Sequence, residues 1–440
     1  MTAPASRARP ARRALDELSL SVDAGALDAV VATSPDWLAA DRRAAFEAWA
    51  ALPAESNKLY TPYIDLRGAQ LESARFVTDH GTERGVDAIP DDAEGLIEFD
   101  EGTVTGVALS EAAQTAGVVL RPLPDDVEAV RDLLDGGPSI PATDKFAQLT
   151  RALWSQGVVV DVPAGVRLDR PIVIRWAVGA ADRALLTRTL IRLGDGAQAS
   201  VVEELVVSHA VPAGAASTAA SAGVGQAFFA STTEVTLGTD SSLQVASLQE
   251  LGGETVAFQH RHANIGDGAT LQWALAQLGG RLVRSRVENR LVGDRSSVEQ
   301  VEIVFGAEEQ LFDLTSFTTH IGRDTTGDLL SKAALLEKAR TYLKGLITIE
   351  KSAVGTDSFL GEFGMNLSKS ARSVAIPSLE IDQPDCRRAM HSSSVGPVDE
   401  MQLFYLESRG IPPDEARKFI VLGYLEPVVA RVPLASAQAR

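Results

Sequence analysis

The sequence predicts a mainly β chain whose centre is a parallel β-helix, a solenoid flanked by helical regions at both ends. Three observations carry this. Near-identical glycine and aspartate turns recur in the middle of the chain, each opens a run of alternating side chains, and helical spacings of apolar residues are confined to the two ends.

Residues 14–52 read as helical, because Leu15, Leu18, Leu27, Val30 and Val31, then Trp37, Leu38, Ala45, Phe46 and Trp49, recur at helical spacings, punctuated by Pro35 and Pro53. The arginines before them, Arg7, Arg9, Arg12 and Arg13, are followed by no apolar stretch, so they read as a frayed tail rather than a secretory signal or transit-peptide start. From about 60 to 145 the signal is mixed. Short apolar runs, Gly106–Leu109 and Gly117–Leu120, precede a helix expected over Pro124–Leu134.

The turns are Gly194-Asp195-Gly196-Ala197, Gly238-Thr239-Asp240-Ser241, Gly266-Asp267-Gly268-Ala269, Gly293-Asp294-Arg295-Ser296 and Gly322-Arg323-Asp324-Thr325. Their starts from 238 onward lie 28, 27 and 29 residues apart, and the first interval, 44, contains an Ala/Ser/Gly-rich insertion from His209 to Gly225. Strands are expected after each turn, at Gln198–Val207, Leu243–Leu248, Thr270–Leu275 and Val298–Phe305. A propeller blade takes about 40 residues and four strands, whereas a period of about 28 holds two or three short strands, so the repeat selects a β-helix. Less regular copies at Arg340–Glu350 and Ala371–Ile381 extend it. Four segments follow: an N-terminal helical region, 1–90; an irregular lead-in, 91–145; the β-helix, 146–385; and a C-terminal helical region, 386–440. The open edges of a solenoid must be covered, and the helical regions are the natural caps.

The C-terminus reads as two helices. Asp399 and Glu400 begin the first, with Leu403, Phe404 and Leu406, and Gly410 ends it; Pro412-Pro413-Asp414-Glu415 begins the second, with Phe419, Ile420 and Leu422. Their apolar surface, continued by Tyr424 and Leu425, covers a solenoid end or docks a partner, and both uses stand open.

Composition narrows the function. A 45% hydrophobic, 23% charged chain has a globular balance, and a net charge of −18 repels phosphate backbones and anionic lipid, which argues against nucleic acid and membrane partners. No apolar run is long enough to span a bilayer. One cysteine, Cys386, supplies neither an internal disulfide nor a thiolate ligand set, and points to the reducing cytoplasm. No glycine is followed by lysine, so a phosphate-cradling loop is missing and no nucleotide is expected to bind this chain; a dinucleotide fingerprint is missing too. His260 and His262, two apart in an alternating segment, share a strand face and would permit chelation, but with no third ligand nearby they read as surface residues. His320 reads as a hydrogen-bonded histidine of a strand ladder. Glu203, Glu204, Gln249, Glu250, Glu288 and Glu302 fall on successive coils, as in a β-helix polysaccharide lyase or hydrolase, yet aromatic residues are only 5% and sugar clefts usually stack rings.

Several blocks of residues resemble a known family. Ala152-Leu153-Trp154-Ser155-Gln156-Gly157-Val158-Val159-Val160-Asp161-Val162, on to Pro171-Ile172-Val173-Ile174, is similar to the early strands of the SufB/SufD iron–sulfur assembly scaffolds. Asp313-Leu314-Thr315-Ser316 through His320, Lys344-Gly345-Leu346-Ile347, and Asn366-Leu367-Ser368 with Pro377-Ser378-Leu379-Glu380-Ile381 resemble its later coils. His391-Ser392-Ser393-Ser394-Val395-Gly396, followed by Leu403-Phe404-Tyr405-Leu406 and Ser408-Arg409-Gly410-Ile411-Pro412, resembles its C-terminal signature. The resemblance implies a right-handed parallel β-helix and a non-catalytic scaffold subunit that pairs with a SufB-like subunit, forms a homodimer in isolation, and binds a SufC-like ABC-type ATPase. The SufB type accepts sulfur on a cysteine of its β-helix; this chain has none before 386, so the SufD type is implied. A SufB-like scaffold and the lyase remain the alternatives. The family's interface histidine falls on His391, implied to hold a transient iron–sulfur cluster shared with the partner; the alternative is a histidine capping the C-terminal helices. Where members often carry a cysteine two residues earlier stands Ala389, with Cys386 five residues earlier and out of register. Partner-binding residues implied are Phe404, Tyr405, Leu406, Arg409, Phe419 and Tyr424.

Overall fold

A computed structural model describes residues 14–78, 82–85, 89–135, 141–209, 211 and 225–431. The arginine cluster, His80 and most of the Ala/Ser/Gly-rich insertion lie outside the described residues. Two sheets of parallel strands wind into a solenoid of about eight coils. Sheet A holds Gln156–Val162, Arg183–Leu193, Ala227–Leu237, Thr255–Ile265, Leu282–Leu291, Leu311–His320, Arg340–Ile349 and Arg372–Ile381. Sheet B holds Ile172–Val178, Gln198–Val207, Ser242–Gln249, Thr270–Gln277, Ser297–Gly306, Thr326–Leu335, Asp357–Asn366 and Arg388–Pro397.

The recurring tetrads are the corners of these coils, and their chemistry explains the repeat. The third residue of each is left-handed: Gly196, Asp240, Gly268, Arg295 and Asp324 have φ between 53° and 66°. The first is glycine because the neighbouring coil passes too close for a side chain; a Cβ on Gly293 would lie 2.0 Å from the Asp267 amide, and one on Gly322 2.2 Å from the Gly293 carbonyl. Corner amides climb from coil to coil, Asp240 N–H to Asp267 O and Gly268 N–H to Asp294 O at 2.8 Å. Asp267 and Asp294 add side-chain oxygens that accept the amides of Asp294 and Arg323. The sequence spacing is the strand register: Ser242 pairs with Thr270, Thr270 with Ser297 and Ser297 with Thr326, while Gln198 pairs with Ser242 across the long interval.

Alternation sends every second residue into the bore, where Val160, Ile174, Val201, Leu205, Phe229, Val245, Leu271 and Phe312 form the main core. Trp176 stacks on Phe99 at a centroid distance of 3.9 Å. The interior is also polar in a way the alternation did not announce. Trp273 Nε1 donates to Asn289, Asn289 to Gln300 and Gln300 to Ser316, closing a buried amide chain across the two sheets.

The ends depart from the sequence reading. Residues 14–23 are not helical, and the first helix is Ala24–Val31, capped by Asp23, followed by Asp36–Ala51. The helix expected over Pro124–Leu134 is a 3-10 segment, Leu123–Val130, running into Arg131–Asp135. Instead of capping the end, the N-terminal helices and Lys145–Leu153 lie against the outer face of sheet A, packing Phe146 and Leu149 on Phe228 and Phe258. The first coil is covered by antiparallel strands: Val119–Pro122 pairs with Gln156–Val162, and Gly95–Asp100 pairs with Thr103–Leu109 while running parallel to Ile172–Val178. The β-structure also continues past 385, where the helical region was expected to begin, through Arg388–Pro397; helix resumes only at Glu400.

Under the N-terminal layer the outer face of sheet A carries buried ion pairs. Arg284 meets Glu55 at 3.0 Å, Arg286 meets Asp144 at 2.9 Å and Glu288 at 2.5 Å, and Lys344 meets Asp313 at 2.5 Å beneath the ring of Tyr60. Burial alone would raise the Asp144 carboxyl, but Arg286, His260 and Arg284 hold it well below the usual range. Asp144 also caps the Lys145–Leu153 helix, accepting from the amides of Phe146 and Ala147. One carboxylate thus ties the helix to the sheet it covers. His260 and His262 belong to this layer and are both buried, which corrects the surface reading: a strand face looks exposed in the alternation until another layer covers it. Burial drops the His262 ring to a pKa of about 4, so it is neutral.

Candidate partner-docking and cluster-ligand site

At the other end, the last strand of each sheet has a neighbour on one side only among the described residues. Arg372–Ile381 pairs with Arg340–Ile349, and Arg388–Pro397 pairs with Asp357–Asn366. The free edges of both strands therefore present backbone donors and acceptors side by side. Beneath these strands the Ile376 N–H donates to Glu362 at 2.8 Å. Burial pushes the Glu362 carboxyl up to about 8 despite that amide and the Lys344 ammonium.

His391 lies inside the last strand, opposite Leu360, and not at a helix cap. Its register column through sheet B is Ile172, Val201, Val245, Trp273, Gln300, Leu329 and Leu360, seven bore-facing residues that are all buried. The imidazole takes the same inward position on the final coil, where no further coil follows among the described residues, and is exposed. Ser392, Ser393 and Ser394 around it are exposed as well. A single ring in this setting can donate one nitrogen to a metal brought by another chain. Cys386 is half-buried against the apolar cluster of Ile347, Ile349 and Leu360, next to Leu379 and Ala389. Among the described residues, no group of three or more His, Cys, Asp or Glu side chains is placed to hold a metal ion.

The C-terminal helices, Glu400–Ser408 and Pro413–Val429, follow this strand. Asp399 caps the first by accepting the Met401 amide at 2.8 Å, and Gly410, at φ 86°, lets the chain leave it. The second helix lies against the outer face of sheet B, over Thr270–Gln277, Ser297–Gly306 and Thr326–Leu335, so it flanks the solenoid rather than closing its end. Val421 and Leu425 bury there against Ile303 and Ala334. Lys332 fastens it, donating to the Tyr424 carbonyl at 3.0 Å with its ammonium 4.7 Å from that ring's centre, and Arg431 pairs with Glu299.

This docking divides the six residues expected to bind a partner. Phe404 and Tyr405 on the first helix and Phe419 on the second are 55–65% exposed, joined by Leu422 and by Met401, which the sequence reading did not single out. The Arg409 guanidinium rests over the Tyr405 ring, 5.1 Å from its centre, and is exposed. Leu406 is half-buried, and Tyr424 packs toward the solenoid.

The remaining candidates resolve without forming a cleft. His320 is fully buried, with Thr325 Oγ1 at 2.8 Å from Nδ1 and Ser358 Oγ at 3.0 Å from Nε2, the ladder role expected of it. His209 is exposed. Of the carboxyl and amide groups on successive coils, Glu203, Gln249 and Glu302 point into the bore, Glu204 pairs with Arg175 on the outside of sheet B, and Glu288 lies under the N-terminal layer. These residues share no open face on which a saccharide groove could pair two acids.

Comparison with known proteins agrees with this architecture. The sequence model of the SUF system FeS cluster assembly SufBD core domain matches residues 176–424. The iron-sulfur cluster assembly protein SufD of Bacillus subtilis is 26% identical over 377 residues, 82% of this chain and 83% of the relative. SufBD family proteins of Staphylococcus epidermidis, 24% identical over 375 residues (80% of this chain, 77% of the relative), and of Staphylococcus haemolyticus, 26% over 296 residues (67% and 61%), are similar too.

Proposed function

Because the chain belongs to the SufBD family of iron–sulfur cluster assembly proteins, we propose that it is the SufD-like scaffold subunit of a cytoplasmic SufBCD-type complex. The last coil carries this reading: a strand edge without a partner, with an exposed imidazole held on the solenoid's inward column. A SufB-like chain that aligns its own edge with Arg388–Pro397 would continue the sheet across the interface, because main-chain groups supply the affinity in strand addition. His391 would then be one ligand of a nascent cluster, the cargo of the complex, whose thiolates come from the other chain. Its rigid strand fixes where the ring nitrogen stands, and the serines that follow it leave room for a partner to approach.

The exposed Met401, Phe404, Tyr405, Phe419 and Leu422 are the docking surface for the SufC-like ATPase, in keeping with the weight that a few aromatic anchors carry in interfaces. Since the second helix is fastened to sheet B through Tyr424 and Leu425, motion of a bound ATPase would be passed to the solenoid instead of being lost in a loose tail. The chain itself performs no reaction in this scheme. The test is co-expression with SufB-like and SufC-like partners. Co-purification of all three, with cluster formation on anaerobic reconstitution, is the expected result, and a chain that elutes alone overturns the proposal.

A further inference from the structure

Inside the solenoid, at the coils formed by Thr255–Ile265, Thr270–Gln277, Leu282–Leu291 and Ser297–Gly306, a polar network runs between the two sheets. Glu203 accepts from Ser247 at 2.7 Å and from Arg261 at 2.9 Å. Arg261 donates on to Gln259, and Gln277 Nε2 donates to both Gln259 Oε1 and Glu302 Oε1 at 3.1 Å. The network ends there with groups unused: Gln259 Nε2, Gln277 Oε1 and Glu302 Oε2 have no hydrogen-bond partner among the described residues, and the Ser285 hydroxyl stands beside Glu302 without good hydrogen-bond geometry. All four residues are at most 2% exposed.

Their chemistry is complementary to one small molecule. Gln277 Oε1 and the carboxyl oxygen need donors, Gln259 Nε2 needs an acceptor, and the hydroxyl works either way. From this we infer an internal water site in the bore, bounded by Gln259, Gln277, Ser285 and Glu302. A water donates twice and accepts twice, so it satisfies the two amides and bridges to the acid and hydroxyl; a metal cation would leave the Gln259 amide unpaired, and an anion would face the Gln277 carbonyl. Burial raises the pKa of Glu302, and a bridging water would solvate the carboxyl oxygen that has no partner. The site lies away from the last coil, so it stands or falls independently of the proposed assembly role.

The test counts long-lived internal waters in the full chain by oxygen-17 magnetic relaxation dispersion, in wild type and in Glu302→Gln and Gln277→Leu/Glu302→Leu variants, alongside a high-resolution crystal structure of the wild type. At least one water with a residence time beyond nanoseconds is expected in wild type. It should be kept in Glu302→Gln, which preserves shape and hydrogen-bonding capacity, and lost in the double leucine variant. Should the double variant fail to fold, the crystal structure decides alone. Density within hydrogen-bond distance of at least two of the four atoms supports the site; side chains turned to pair with one another around no density overturn it, as does an unchanged water count in a folded double variant.

Discussion

The first and last coils of the solenoid are built from the same repeat and finished in opposite ways. At the first, antiparallel strands use up the edge, and from there along the middle coils the N-terminal layer buries ion pairs on the flank of sheet A. At the last, the edge strands end in solvent, and the buried inward column that runs from Ile172 to Leu360 finishes on the exposed His391. A solenoid that merely lacked a cap would show the usual apolar column at its end and would stack on any similar edge. The change to histidine fits the proposal that this end meets a specific neighbour.

If the covered flank is structural and the open end is not, substitutions in the two regions should differ sharply in their effect on stability. The largest loss is expected for Lys344→Met. It leaves the buried Asp313 carboxylate without its 2.5 Å cation, and stranding one partner of a buried pair costs about 3–5 kcal/mol. Urea unfolding read by circular dichroism measures it, against a wild-type spectrum dominated by β signal. A loss under about 1 kcal/mol would mean that this buried pair within sheet A does not stabilise the covered flank.

Next in size is a pH effect at the boundary between the two regimes. Glu362 titrates near 8 in the folded chain and near the ordinary 4.5 when unfolded, so the folded state retains its proton longer. Its ionisation costs nothing below about pH 4.5, and stability falls as the pH rises from there through 8, by on the order of a few kcal/mol in full. Glu362→Gln should remove that alkaline decline and leave acid behaviour alone. The buried His262 and His320 act on the other side: with pKa values lowered to about 4, their contribution is present above the unfolded value of 6.5 and fades as the pH falls toward 4. Melting temperatures from pH 4 to 9 for wild type and the glutamine variant separate the two limbs; parallel curves would refute the role of Glu362.

A smaller contrast lies within the C-terminal helices. Tyr424→Ala removes a ring packed on Lys332 and should cost about 2 kcal/mol of stability, roughly half the value for a fully buried aromatic. Phe404→Ala should change stability by less than about 0.5 kcal/mol yet weaken ATPase binding by more than about 1 kcal/mol. Calorimetric titration of the ATPase, paired with thermal melts, checks both. The reverse pattern would place Phe404 on the fold and Tyr424 on the partner.

These contrasts also show what could be read from the sequence. The corners were legible because two steric demands, a left-handed third residue and no room for a Cβ at the first, force glycine, aspartate or arginine to recur at fixed spacing. The second corner of each coil was not, since its residues change from coil to coil: Gly280, Glu308 and Glu337 are left-handed there, and Glu337 has no glycine beside it. His391 was placed by its resemblance to a family signature; that it sits inside a strand, on the inward column, depended on a register no local pattern carries. His260 and His262 were misjudged because periodicity tells one strand face from the other but not which layers lie outside. Their neighbours held a hint: Arg284, Arg286 and Glu288 alternate on the adjoining strand, and a row of charges facing a row of histidines often means ion pairs under a cover.

The smallest expected effect on stability belongs to the residue with the largest expected effect on function. His391→Ala removes an exposed ring from an edge strand and should shift stability by less than about 0.5 kcal/mol. In complex with a cysteine-bearing SufB-like partner, the same substitution should lower cluster yield on anaerobic reconstitution without dissociating the subunits, because main-chain pairing at the edge does not need the imidazole. Cys386→Ser is the control. Its sulfur is half-buried against Leu379 and Ala389, so cluster yield should stay near wild type. Iron content and visible absorbance of both variants decide the matter. Equal yields would reduce His391 to a polar finish for the last coil, whereas loss confined to the histidine variant would show why the bore's apolar column ends in an imidazole.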